Sequence, residues 1–592
     1  MNQFVRTTLI KAIALGGIAG GIAASSLVAQ AEQSLSVVYP PKDHETNAEQ
    51  IFLIGTAPGS GDVMVNGEKI KRSPQGHFAP SFPLQIGENK FQLEHKQQKL
   101  EVTVTRLSNE PELLTKATFA PNSLIPATDI TKQPGESICF SAIAPPEAEV
   151  SVGLGGKFIP LLPQSESVTL PPNSGVLVND NAPDVSNISG QYQGCTEFDR
   201  AGNFGKPEFE VNLRGDHFRK NGEGAITIAK AQDLEVVEVT ADNGVARTGA
   251  STNFSRLTPL PKGTRARVTG KEGAWLRLDY GAWIKAEETK TLPPNSPIQS
   301  LIRSITSRQI ADTTEIIFPL QVPVPVSINQ GDDSFTLTLH NTTAQTDTIR
   351  LDDDPLIKRL DWQQTKENEI AYTFQLKTDQ QWGYDLRYEG TSLILALRHP
   401  PKVSTNKQLP LSGMKILLDP GHGGEEKGAK GSNGYPEKTI NLLISKQLEQ
   451  ELSKLGATVV LTRTKDVDLG LRERMDMIQE IKPDLAFSIH YNALPDNGDA
   501  ENTQGISTFW YHPQAHDLAI SMHDHLVTSL DRPSYGVFWN NLALSRPQIA
   551  PTVLLELGFM INPWEFEWIT DQDEQKKLVK AIAEGIVNWV EK

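Results

Sequence analysis

The sequence predicts a multidomain protein: N-terminal all-β modules followed by a C-terminal α/β domain with a mostly parallel twisted sheet flanked by helices. Three observations predict it. Up to about residue 400, short apolar–polar alternations are interrupted by clusters of Gly, Pro and Asn, the pattern of strands joined by turns. From residue 413, strands alternate with longer segments whose apolar residues recur at helical spacing. Within that last part, three apolar runs each deliver a polar, metal-competent side chain at their carboxyl end: Ile416-Leu417-Leu418 before His422, Leu485 to Ile489 before His490, and Val553-Leu554-Leu555 before Glu556. In an open parallel sheet that end is where ligands bind, so three such ends on one rim make a site.

The chain of 592 residues is too long for one domain, and its length suggests about four or five. A net charge of −16 argues against nucleic acid as a partner, because such binding needs basic patches that displace counterions. An anionic substrate held by a local cation or metal is still compatible with it. Residues 1–31 read as a signal peptide: Arg6 and Lys11 supply a positive start, Ala12 to Val28 is a small, Gly-rich apolar run, and Ala29-Gln30-Ala31 has the small-x-small cleavage pattern. The run is short and weakly hydrophobic for a membrane span. Export to the periplasm or cell wall is expected, with no stable span after cleavage. The two cysteines, Cys139 and Cys195, fall in the same β-rich region. In an exported protein they could pair, a link worth roughly 2–4 kcal/mol; two free thiols are the alternative.

Residues 35–107 alternate like a small sandwich, with a hairpin turn at Asn66-Gly67 after Val63-Met64-Val65. The pattern resembles the immunoglobulin-like modules appended to bacterial surface enzymes. Residues 108–225 are a β-rich domain of no recognisable type. Residues 235–288 resemble a bacterial SH3-like barrel, in which Trp275, Tyr280 and Trp283 either line a groove or fill the core. A Pro-rich linker from Thr289 to Gln299 leads to residues 300–400, another strand-rich module. Its position just ahead of the C-terminal domain resembles that of the AMIN targeting domain.

In the C-terminal domain, residues 413–592, Ile440, Ile444, Leu448, Leu452 and Leu455 predict a helix that Gly456 ends. A last amphipathic helix is expected from about Glu574 to Val590. Zinc in a hydrolase takes three protein ligands and leaves one position for water. His422, Glu437 and His490 supply such a set, and Pro436 starts a helical turn that puts Glu437 beside the His422 loop. Glu556, ending a buried apolar run, is the natural general base, since a carboxylate there is costly without a partner or a task.

Asp419-Pro420-Gly421-His422-Gly423-Gly424, Glu437-Lys438, Leu461-Thr462-Arg463, Ser488-Ile489-His490-Tyr491-Asn492 and Leu555-Glu556-Leu557-Gly558-Phe559 follow one another in this order. Together they resemble the zinc-dependent N-acetylmuramoyl-L-alanine amidases of the amidase-3 family, over roughly residues 413–592. The resemblance implies one Zn2+ per catalytic domain on His422, Glu437 and His490, with Glu556 catalytic. It also implies peptidoglycan as substrate, cut between muramic acid and L-alanine of the stem peptide. Asn492 and Arg546 are candidates for contacting substrate, and Arg463 reads as structural, paired with Asp466. Where the family often has Ala-Asn after the helix Arg, this chain runs Arg474-Met475-Asp476, which puts that contact in doubt. Only Ala493 to Gln504 separate the His490 motif from the next strand, too few for the plugging helix of some relatives, so control would fall to the upstream modules or an unknown regulatory partner. His512, His516, His523 and His525 read as a solvated surface rather than a metal cluster, and Trp539-Asn540-Asn541 as a rim of the substrate groove. A wall-binding scaffold with an inactive domain and a zinc carboxypeptidase are the rival functions.

Overall fold

The computed structural model describes residues 34–108, 113–164, 166–170, 183–187, 190–293 and 295–592. The expected signal peptide lies outside the described residues. In the first module, the strands Ser36–Tyr39, Ile54–Thr56 and His77–Phe78 form one sheet. His44–Thr46, Gln98–Arg106, Gly87–His95, Met64–Val65 and Glu68–Lys69 form another. Asn66 and Gly67 both take positive φ, 51° and 85°, as a tight hairpin turn with right-handed strands requires.

The next two modules are joined more closely than the composition suggests. Ile130–Lys132 lies between Ile226–Ile228 and Arg265–Glu272 in one continuous sheet, so backbone hydrogen bonds cross from one module into the next. Cys139 and Cys195 sit directly opposite each other on the paired strands Ser137–Ile143 and Gln191–Glu197 and form a disulfide. The Tyr280 ring lies 4.7 Å from that of His340 in the following module, and its hydroxyl is shut in. It seals a junction between modules rather than lining an open groove. Residues 300–400 form a five-stranded and a four-stranded sheet around one apolar core.

The C-terminal domain runs β1 (Lys415–Pro420), α1 (Glu437–Lys454), β2 (Thr458–Leu461), α2 (Leu471–Ile481), β3 (Leu485–Asn492), β4 (Ile506–Trp510), α3 (His516–Leu530), β5 (Ser534–Trp539), β6 (Thr552–Phe559), α4 (Pro563–Thr570) and α5 (Gln572–Val590). The sheet order is β2-β1-β3-β6-β4-β5, parallel except where β4 meets β6. Ile416, Leu417 and Leu418 are fully buried, as a central strand covered on both faces demands. Ile440, Ile444, Leu448 and Leu452 put one face of α1 into that core. Gly456, at φ 98°, takes the left-handed conformation that ends the helix.

Two strands run past the expected ends. β3 continues to Asn492 and β6 to Phe559, because the pair keeps its ladder across an irregularity between His490 and Asn492. His490 and Glu556 therefore project from inside strands, as direct register partners, and not from strand tips.

The upstream modules also cover this domain. Phe52, Ile54 and Ala79 of the first module share an apolar cluster with Ala500, Phe559 and Ile561, and His77 meets the edge of Phe566 at 5.1 Å. Trp382 of the fourth module lies against Trp589 at 5.2 Å, and Arg398 pairs with Asp484 at 2.9 Å. An Ile444→Ala substitution at the α1–sheet contact is expected to cost about 2–5 kcal/mol, read as a lower denaturation midpoint in urea.

Candidate active site

The turn after β1 is held by buried cations. Asp419 accepts from Thr462 Oγ1 at 2.5 Å, Ser488 Oγ at 2.7 Å and Arg474 Nη1 at 2.7 Å, tying β1 to β2, β3 and α2 at one point. Arg474 also donates to the carbonyls of Pro420 and His422, each at 2.8 Å. Arg463 donates to Pro420 O at 2.9 Å, and to Gly421 O and Lys438 O, each at 2.8 Å. Arg463 is thus structural, but through carbonyls, while Asp466 pairs with Lys438 at 2.7 Å.

So held, His422 takes a left-handed φ of 59°, which swings its ring toward α1. Its Nε2 lies 3.2 Å from Glu437 Oε2 and its Nδ1 3.0 Å from Glu426 Oε1. Glu437, first residue of α1 and only 2% exposed, accepts from Ala429 N at 2.8 Å, Asn441 Nδ2 at 3.0 Å and Tyr491 N at 3.1 Å. His490 Nδ1 stands 3.1 Å from Glu437 Oε1. Burial by itself would favour the neutral acid at Glu437. The two imidazoles outweigh it and hold the carboxyl well below its ordinary range. Burial likewise works against a charged His422, but Glu437 and Glu426 raise its pKa above the usual histidine value.

Missing side chains make the room. A Cβ on Gly421 would lie 2.2 Å from His490 Cε1, and one on Gly428 would lie 2.4 Å from Glu437 Oε2. One donor atom from each of His422, Glu437 and His490 lies within 4.8 Å of the other two, the one such group found among the described residues. Donors around a tetrahedral zinc with bonds of about 2.0–2.1 Å stand roughly 3.3–3.4 Å apart. The imidazole–carboxylate separations of 3.2 and 3.1 Å, to the two different oxygens of Glu437, lie near that spacing, and the chemistry of two imidazoles and a buried carboxylate suits such an ion.

Glu556 sits beside His490 in register, and its Oε2 is closed off from solvent without a hydrogen-bond partner among the described residues. Burial, then the charge of Glu437, push its pKa well above the ordinary carboxylate value. Asn492 is buried, its Oδ1 accepting from Ala493 N at 2.9 Å while its Nδ2 has no hydrogen-bond partner among the described residues.

Arg546 and Trp539 do not join this rim. β4 is antiparallel to β6, with Ser507 opposite Glu556 and Phe509 opposite Leu554, so Trp539 and Tyr511 emerge at the far end of the sheet. Glu556 lies roughly 13 Å along β6 from Thr552, and Arg546 precedes that strand start. Of the four late histidines, His516 is exposed as expected, but His523 is buried and His512 and His525 are half-buried; His512 Nε2 lies 2.7 Å from Arg546 O, and His523 Nε2 lies 2.9 Å from Ser534 Oγ. Burial pushes the His512 pKa down to about 4, and the His516 ring lies 4.3 Å from that of Trp510. Sequence reasoning assigned no part to Asp419, Thr462, Ser488 and Arg474, although the first three stand inside the motifs it singled out.

A mostly parallel α/β sheet that brings two imidazoles, a buried carboxylate and an unpartnered acid to one rim defines a candidate metal hydrolase. Residues 416–588 match the Amidase_3 family, described as N-acetylmuramoyl-L-alanine amidase, and the chain carries this domain at its C-terminal end. It is 36% identical over 185 residues to the probable cell wall amidase LytH of Staphylococcus aureus, covering 31% of this chain and 60% of that protein's length. Among solved structures, the catalytic domain of the amidase CwlV from Bacillus (Paenibacillus) polymyxa var. colistinus is 29% identical, covering 30% of this chain and 98% of that one, with a TM-score of 0.29. The amidase AmiC2 of Nostoc punctiforme is 27% identical, covering 31% and 99%, with a TM-score of 0.29.

Two substitutions test the geometry. Gly421→Ala is expected to displace the His490 ring and lower metal affinity by about 10–100-fold, measured by competition with a chromophoric chelator. Arg474→Met leaves Asp419 buried and uncompensated and is expected to destabilise the protein by about 3–5 kcal/mol in denaturant melts.

Proposed function

We propose that the chain is an exported peptidoglycan hydrolase, a zinc-dependent N-acetylmuramoyl-L-alanine amidase acting in wall remodelling or daughter-cell separation. The observation that carries this reading is the unpartnered Glu556 oxygen next to the His422, Glu437 and His490 set. The amidase match over residues 416–588 supports it. Among the described residues no helix is long and apolar enough to cross a membrane.

His422, Glu437 and His490 would hold the zinc. When bound, it would polarise the scissile carbonyl and lower the pKa of a water to about 7. Glu556 takes the proton of the attacking water and returns it to the nitrogen of L-alanine, so that the amide C–N bond breaks and a carboxylate and an amine leave. Burial, which raises the pKa of this carboxyl, makes it a stronger acceptor for that proton. Arg463 and Arg474 keep His422 aimed while this happens, and Asn441 fixes the Glu437 carboxylate from behind.

The upstream modules, read as immunoglobulin-like, SH3-like and AMIN-like, seat the enzyme on the wall and bear on its activity. The first of them grips the segment between β3 and β4: Tyr39 and His44 both bond Asp496, and Lys71 pairs with Glu501 at 2.8 Å. Deleting residues 32–400 is expected to alter specific activity or wall localisation, assayed in cells and on isolated sacculi. If neither changed, these modules would have no such role.

Mass spectrometry of digested peptidoglycan is expected to show free stem peptides beginning at L-alanine; shortened stems would indicate a peptidase instead. Glu556→Gln is expected to keep its metal and lose about 10²–10⁴-fold in turnover. Loss of metal together with activity would move Glu556 into the ligand set.

A further inference from the structure

At the end of the sheet away from Glu437, a cavity of about 480 Å³ opens where the C-terminal domain meets the third and fourth modules. Arg256 of the third module and Arg546 of the C-terminal domain both line it, with the charge of Arg256 acting on Arg546 and both arginines acting on Tyr511. Arg546 bonds Asn541 O and Oδ1, both at 3.3 Å, and Met475 Sδ at 3.8 Å, but no carboxylate among the described residues. Among the described residues Arg256 forms no ion pair. Of the acids nearby, Asp476 pairs with Arg472 at 3.3 Å, while Glu288 accepts from the Val245 N–H at 2.6 Å and its charge acts on both Arg256 and Arg247. Burial, then repulsion by Arg256, lowers the Arg546 pKa to about 10, and burial lowers that of Arg256 too.

Arg256, Arg546 and the nearby buried Arg247 outnumber Glu288, the carboxylate that acts on Arg256 and Arg247, and an anion with paired oxygens relieves the excess positive charge. The neighbouring wall is flat and aromatic. Trp539, 58% exposed, stacks on Tyr511 at 5.4 Å and is fixed there by its Nε1–H donating to Tyr511 O at 2.9 Å. The volume falls in the range of sites for small organic ligands, about 300–1,000 Å³, which exceeds what an inorganic anion fills.

We propose that this cavity is a second, non-catalytic site that takes the carboxylates of a peptidoglycan stem peptide on Arg256 and Arg546, with the peptide laid against Trp539. The choice of ligand rests on the substrate reading given above. The site faces away from the catalytic rim and is built from three modules, so it holds a neighbouring stem while the rim cuts another. Tethering of this kind raises the effective concentration of bonds along one polymer.

Calorimetric titration of the full-length protein in a Glu556→Gln background tests the proposal without any turnover. The probes are a stem tripeptide with free carboxylates, the same peptide amidated, and inorganic phosphate. The free acid is expected to bind at least about tenfold more tightly than the amide, and phosphate only weakly. Arg256→Gln and Arg546→Gln are each expected to weaken binding of the free acid by about tenfold or more, and Trp539→Ala to weaken it as well. Arg256 is the less enclosed of the two cations, so its variant decides the matter if Arg546→Gln does not fold. Equal affinity for acid and amide, binding indifferent to Arg256, or phosphate binding alone would overturn the proposal. A protein that binds the tripeptide in this way but releases no stem peptides in its wild-type form would refute the amidase reading and leave the site standing.

Discussion

The candidate active site depends on two buried arginines gripping the backbone of the turn after β1. Between them, Arg463 and Arg474 donate to the carbonyls of Pro420, Gly421 and His422. These carbonyls follow a strand end and would otherwise be left without partners in a buried place. The clamp also offsets the positive φ that His422 adopts, which a residue with a Cβ takes only under constraint. Release of this turn would carry one imidazole away from Glu437. The arginines in turn need Asp419, whose carboxylate balances Arg474 and draws hydroxyls from two flanking strands. The cost of burying an ion pair is met here by full satisfaction of its hydrogen bonds.

A second theme is how much of the C-terminal domain is covered by the rest of the chain. The first module joins it through an apolar cluster, and the segment between β3 and β4 is held from outside by Tyr39, His44 and Lys71. The fourth module covers the other side through Trp382 and Arg398. A short β3–β4 segment leaves no length for a plug of its own, and the first module occupies the ground beside it. The modules form a continuous assembly, in which one sheet even runs through two of them.

Much of the C-terminal domain was legible along the chain. Apolar triplets marked the central strands, the fourfold spacing of Ile440, Ile444, Leu448 and Leu452 marked α1, and Pro436 and Gly456 marked its ends. The cluster of His422, Glu437 and His490 was legible because His and Glu next to strand ends and helix starts are rare without a purpose. Arg546 and Trp539 were misplaced because position along the chain does not reveal strand direction: one antiparallel neighbour, β4, sends the segments after it to the opposite edge. His523 was misread as solvated because spacing on a helix tells which residues share a face, not what covers that face. His523, beside Ser534, is enclosed by a neighbouring strand that follows it in sequence.

The sequence by itself determined the order of strands and helices, the break between β-modules and the α/β domain, and the chemical identity of the four side chains at the rim. These follow from local patterning, which is written residue by residue. Only the tertiary structure decided that Glu437 is shared by two imidazoles, that one oxygen of Glu556 is left alone, and that Arg256 and Arg546 line one cavity. Each of these is a distance or an enclosure between segments far apart in the chain. Such quantities exist only once packing has chosen which surfaces meet.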